Sequence, residues 1–214
     1  MSTTVTITQD NKNEPFNNGH EYVDLGLSVL WATCNVEANK PEGFGYYYGW
    51  GEFESKYRYT WTEYRFCIGE SPVMLSKYNT NSNRGRTDNI TTLEPSDDVA
   101  HVLWGGNWRM PTADELRELK DNCTWSWTQQ NGVNGYRITS NKSGFTQNSI
   151  FLPASGSRYD LEDQDFGDVG RYWSSSLDTS DPTGAWHLTF DNQKISIGTE
   201  YGRDLGRTVR PVCP

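Results

Sequence analysis

After Cys123 the chain breaks into seven short runs: TWSWT, GYRITS, SIFLPA, RYWSSS, AWHLTF, QKISIG and RTVRPV. They are too short for helices, and several alternate large and polar residues with period two, so they read as antiparallel strands joined by turns. NGVNG between the first two is a hairpin signal. In AWHLTF the alternation is cleanest. Trp186, Leu188 and Phe190 are expected to face a core, leaving His187, Thr189 and the following Asp191 on an outward, polar face.

The core of such a sheet must be built from few, large side chains. Only 34% of the 214 residues are hydrophobic, but nine Trp, twelve Tyr and eight Phe are among them, and each ring can bury roughly 150–250 Å². Twenty Gly and nine Pro point to many turns.

Two helices are expected before the strands. Ser96 is placed to cap DDVAHVLW, with Val99, Val102 and Leu103 on one face. In PTADELRELKDNC, Thr112 and Glu115 have capping-box spacing, and Leu116, Leu119 and Cys123 form an apolar stripe. Residues 1–19 read as an N-terminal arm or linker and residues 20–214 as one domain. Residues 54–93 read as long loops held by Trp61, Tyr64 and Phe66. The class is α+β, with a mostly antiparallel sheet that both termini share.

A formal charge of −9 with no basic stripe argues against nucleic acid. No apolar run is long enough to span a bilayer. The first twenty residues lack the basic and apolar regions of a signal peptide, which leaves an intracellular, a trimmed or a virion protein open. Cys34, Cys67, Cys123 and Cys213 lie far apart, so two disulfides in any of three pairings, or four thiols, are equally open.

A set of phrases then meets a known family. EYVDLGLSVLWATCNV, TTLEPSDDVAHVLWGGNWRMPTADELREL, NCTWSWTQQNGVNGY, NSIFLPASG, RYWSSS and RTVRPV, in order over residues 20–214, resemble the FISUMP domain. That domain occurs in secreted and surface proteins of gut bacteria and in their phages. The resemblance implies a C-type-lectin-like fold of the formylglycine-generating-enzyme branch. The region 171–207 is similar to the C-terminal strands that diversity-generating retroelements rewrite in variable proteins, including phage tropism determinants. Such a relative would be extracellular, cell-surface or virion-attached, and would bind a protein or glycan.

No serine-hydrolase, zinc-protease or nucleotide-binding fingerprint appears. Ser174–Ser176 near His187 have no orienting acid. The paired cysteines of a formylglycine-generating oxidase are missing, since only Cys213 lies near the end. The chain therefore reads as no enzyme and needing no cofactor. Asp88, Glu94, Asp97 and Asp98 are weak candidates for a structural calcium ion, although capping explains the last two. Tyr46, Tyr47, Tyr48 and Trp50 are the aromatic group for a constant glycan-binding or adhesin module, with core packing the competing role. The favoured ligand surface comprises Arg171, Asp178, Asp181, His187, Thr189, Asp191, Tyr201, Arg203 and Asp204, with Tyr159 and Asp160 from a neighbouring loop.

Overall fold

The computed structural model describes residues 16–70, 73–200 and 202–214. Residues 1–15 of the expected arm and Tyr201 of the expected surface lie outside them. The order is β1 (Phe16–Asn17), β2 (His20–Val23), β3 (Leu30–Ala32), β4 (Cys67–Glu70), β5 (Val73–Leu75), α1 (Val99–Trp104) and α2 (Ala113–Asn122). Then come β6 (Cys123–Gln130), β7 (Val133–Ser140), β8 (Ser149–Pro153), β9 (Ser157–Tyr159) and β10 (Glu162–Gln164). Last are β11 (Gly170–Leu177), β12 (Ala185–Phe190), β13 (Ile195–Gly198) and β14 (Val212–Cys213).

The chain is mostly β with two short helices, so the helical share implied by α+β is smaller than expected. The late strands also do not make one sheet. β6-β7-β8 and β11-β12-β13 are separate antiparallel sheets, and β9 and β10 form a two-stranded ribbon. Both termini do share a sheet, but it is their own, ordered β1-β2-β3-β14. Phe16 and Asn17 pair with Glu21 and His20, and the Trp108 indole donates to the Asn17 carbonyl at 2.7 Å. The end of the expected arm is therefore structured with the domain.

Local sequence explains several junctions. Asn131 and Gly132, with φ of 49° and 83°, make the two-residue turn that sets Gln130 opposite Val133. The capping box of α2 is complete: Thr112 accepts from the Glu115 amide and Glu115 from the Thr112 amide. Ser96 does not cap α1. The Asp98 carboxylate does, accepting from the Ala100 and His101 amides, and Val99, Ala100 and Trp104 form the buried face while Val102 and Leu103 are exposed. No helix among the described residues is long and apolar enough to cross a membrane.

Two large apolar clusters meet at the β11–β12 pair. Tyr172, Leu188 and Phe190 join a cluster with α2, β7 and β8. Trp173, Leu177 and Ala185 join a second, with Trp50, Tyr64, Phe66 and Tyr78 from the long loops. Most of this pair is therefore covered on both faces. All four cysteines are free thiols. Cys213 is fully buried in a third cluster with Ala32, Trp104 and Trp108, to which no other cysteine belongs.

Candidate functional site

The covering of β11–β12 corrects the expected outward face. His187 is 1% exposed and sits edge-on to Trp173, its cross-strand partner, with ring centroids 5.7 Å apart. Its Nδ1 lies 3.2 Å from the Ala185 carbonyl. Burial, helped by the Arg207 charge, holds the imidazole far below its ordinary pKa, at about 2. The ring is neutral, so its 3.8 Å approach to the Glu200 carboxylate is no ion pair at neutral pH. The expectation of an exposed His187 fails because this face is covered as well: Trp173 packs edge-on against the ring, and Arg207 lies over Trp173. Trp186, expected in the core, is only half-buried and lies under the Arg117 guanidinium at 4.3 Å.

Arg203 is also a core residue. It is fully buried, donates to the Tyr78 and Lys77 carbonyls at 2.8 and 2.7 Å, and stacks 5.4 Å from the Trp50 and Tyr64 rings. Asp178, Asp181 and Asp191 close turns. Asp178 accepts from Ser180 at 2.8 Å, Asp181 from Thr183 at 3.1 Å, and Asp191 from the Gln193 and Lys194 amides at 2.7 and 2.8 Å. Asp160 turns the β9–β10 ribbon with φ of 51° and pairs with Arg58 at 2.7 Å. Each of these carboxylates already has a turn or ion-pair contact within the fold.

Three predicted residues do come together. Tyr159, Arg171 and Asp204 line an open cleft of about 480 Å³ beside the start of β11. Its other walls are Trp61, Ser157, Gln164, Asp165, Gly202, Leu205 and Arg207. Thr189 stands next to it, half-buried opposite Arg171. The segment 202–208 builds the floor by bridging three neighbours: Gly206 pairs with Arg158, Arg207 with Tyr48, and Thr208 with Tyr172. Two glycines permit this threading. A Cβ at Gly206 would stand 2.8 Å from the Tyr59 ring, and one at Gly202 would stand 2.2 Å from the Asp204 carboxylate.

The arginines of the cleft are anchored. Arg171 donates to Asp165 at 2.7 Å and to the Ser157 hydroxyl at 3.2 Å. Arg207 lies 4.2 Å over the Trp173 ring and donates to the Glu200 carbonyl at 3.3 Å. Asp204 is different. It is 3% exposed, and burial raises its carboxyl to about 6. Tyr159, at 57% exposure, stands out at the rim.

Sequence reasoning missed Trp61, Gln164, Asp165 and Arg207. The polar run DLEDQDFGD between two strands was the available signal for Gln164 and Asp165. Trp61 sits in a stretch with no period to read. The residues of the other expected sites are mostly engaged within the fold. Tyr47, Tyr48 and Trp50 are buried and only Tyr46 of that group is exposed, so no aromatic platform exists there. Asp88 accepts from the Tyr78 and Asn79 amides, and Asp97 from Lys77 and Tyr78, while Glu94 pairs with Lys77. Among the described residues, no three His, Cys, Asp or Glu side chains are gathered as for a metal ion.

These features define a mostly β, loop-rich domain with a polar and aromatic cleft at the edge of its last sheet. The chain belongs to the Lcl C-terminal domain family, whose model matches residues 22–212. No curated protein and no solved structure matches it.

Proposed function

We propose that this is a non-catalytic ligand-binding domain of C-type-lectin-like type, a variable protein of a diversity-generating retroelement that recognises a surface protein or other ligand through the cleft. Membership of the Lcl C-terminal domain family is consistent with such a role. The observation that carries the reading is the cleft itself, where Tyr159, Arg171 and Asp204 converge from three separate segments. Aromatic and arginine side chains on a rigid base suit recognition, because little motion has to be frozen on binding. The chain would act outside the cell, on a cell surface or on a virion. Ser174 and Ser175 donate to the Trp186 and Pro111 carbonyls, which supports a packing role for them.

Two experiments test this. A random peptide library panned on the immobilised protein, with counter-selection on a Tyr159→Ala/Arg171→Ala variant, should yield peptides whose affinity drops at least tenfold in that variant. Lys120→Ala, exposed on α2, should leave them bound. A library that returns no cleft-dependent peptide overturns the reading. The coding DNA tests diversification: a near-repeat of its 3′ end, differing only at adenines and lying beside a reverse transcriptase gene, is expected.

A further inference from the structure

Within the cleft, Asp204 is a buried carboxylate that accepts from its own backbone amide and has no ion-pair partner among the described residues. Three charged groups act on it most strongly: Lys56, Glu52 and Arg207. Lys56 is committed to Glu52 at 2.7 Å. Arg207 is spread over Trp173. Among the described residues, no basic side chain is paired with the Asp204 carboxylate, although the residue is only 3% exposed. A buried carboxylate without a countercharge is costly, and that cost falls when a cation arrives.

The lining charges themselves balance, Arg171 and Arg207 against Asp165 and Asp204, with Arg171 paired to Asp165, so any surplus of sign comes from the rim. Residues 160–168, which form the rim with the β9–β10 ribbon, carry Asp160, Glu162, Asp163, Asp165 and Asp168 and no lysine or arginine. Arg58, Arg158 and Arg171 already neutralise three of these, leaving Glu162 and Asp168 exposed. The walls add two aromatic rings, Trp61 and the outstanding Tyr159. Indole and phenol faces attract cations, and most strongly when water is excluded.

Building on the cleft reading above, we propose that the site takes a cationic side chain of a protein partner, a guanidinium or ammonium group seated between Trp61 and Tyr159 and directed at Asp204. The aromatic walls take the aliphatic stem while the charged end reaches the buried carboxylate.

The probes are Nα-acetyl-arginine methylamide, its lysine counterpart and the neutral citrulline counterpart, followed by the Trp61 indole resonance, which Trp61→Phe assigns. Both cationic amides should give saturable shifts at pH 7.5, and citrulline should bind at least tenfold more weakly. Asp204→Asn, checked for folding by its thermal transition, should cut cation affinity at least fivefold and leave citrulline unchanged. Since the carboxyl titrates near 6, wild-type affinity should fall about tenfold between pH 7 and pH 5, as the charge is lost. Equal binding of citrulline and arginine amides overturns the proposal, as does cation binding unchanged in Asp204→Asn or no saturable shift at all. Cleft-dependent library peptides that lack basic residues and ignore Asp204→Asn sink the cation and keep the cleft. Failure to select any cleft-dependent peptide sinks the cleft itself.

Discussion

The Arg207 charge acts on both His187 and Asp204, and burial pushes their pKa values in opposite directions. His187 stays neutral in the folded state, whereas in the unfolded chain it protonates near 6.5. Its contribution to stability is therefore complete above pH 6.5 and is lost steadily as pH falls from there toward about 2. Asp204 works the other way: its proton is favoured in the folded state, so its contribution declines as pH rises through about 6. The two effects overlap between pH 4 and 6 and conceal each other in the wild type alone. A comparison with His187→Asn separates them. The variant should be less stable at pH 7, because the ring against Trp173 is gone. Its deficit relative to wild type should shrink by about 2 kcal/mol at pH 5, since only the wild type must exclude a proton there. Urea unfolding at the two pH values measures this. An unchanged deficit would show that residue 187 titrates normally in the folded protein.

At the scale of elements, what was legible depended on whether the deciding contact was local. The α2 start was read correctly because Thr112 and Glu115 hold each other's amides within one turn. The NGVNG hairpin signal holds for the same reason, though only its Asn131-Gly132 makes the turn and Val133–Gly135 already belong to β7. The α1 start was misread because Asp98 competes with Ser96, and what selects Asp98 is partly remote: its other oxygen accepts from the Met110 amide at 2.8 Å. Asp98→Ala should therefore cost about 2–3 kcal/mol, more than an ordinary cap, while Thr112→Ala costs about 1 and Ser96→Ala under about 0.5. Chemical denaturation of the three variants gives the ranking, and a larger loss for Ser96→Ala than for Asp98→Ala would reverse the assignment. The outward face of β12 failed for a related reason. Period two separates two faces without saying what covers each. The adjacent bulky pair Tyr172-Trp173 carried the missing information, since neighbours on a strand point to opposite sides and both are buried. The cleft was half legible. Tyr159, Arg171 and Asp204 lie in segments that read as strand or loop, but their company with Trp61 depends on how residues 202–208 thread, which no local period encodes.

The whole molecule is tied across its sequence by one cation. Arg210 is buried and donates to the Ala32 and Thr33 carbonyls at 3.1 and 2.9 Å, to Asn35 Oδ1 at 2.8 Å and to the Phe151 carbonyl at 2.9 Å. It thereby joins the segment after β3 to β8 from the C-terminal end, one residue pair away from the β3–β14 contact of Trp31 with Val212. Among the described residues, no carboxylate pairs with it. The charge is offset by carbonyl dipoles alone, and burial pulls the guanidinium below its ordinary pKa without discharging it. Such an arrangement is specific in shape, because four acceptors from two other segments must converge on one planar fork. Arg210→Met keeps the bulk of the side chain but leaves those acceptors without their donor, so a loss of about 3–5 kcal/mol is expected. Arg210→Lys, with a point charge and three donors, should recover only part of it. The loss should reach the cleft as well, because Arg210 lies on the same tail as Arg207 and Thr208, which pair with Tyr48 and Tyr172. Hydrogen exchange on Arg210→Lys locates the effect. Faster exchange at Ala32, Val36, Tyr48 and Trp173, whose amides bond to residues 207–211, is the expected result. Loss confined to β3 would mean that the tail is held by its strand pairing rather than by the arginine.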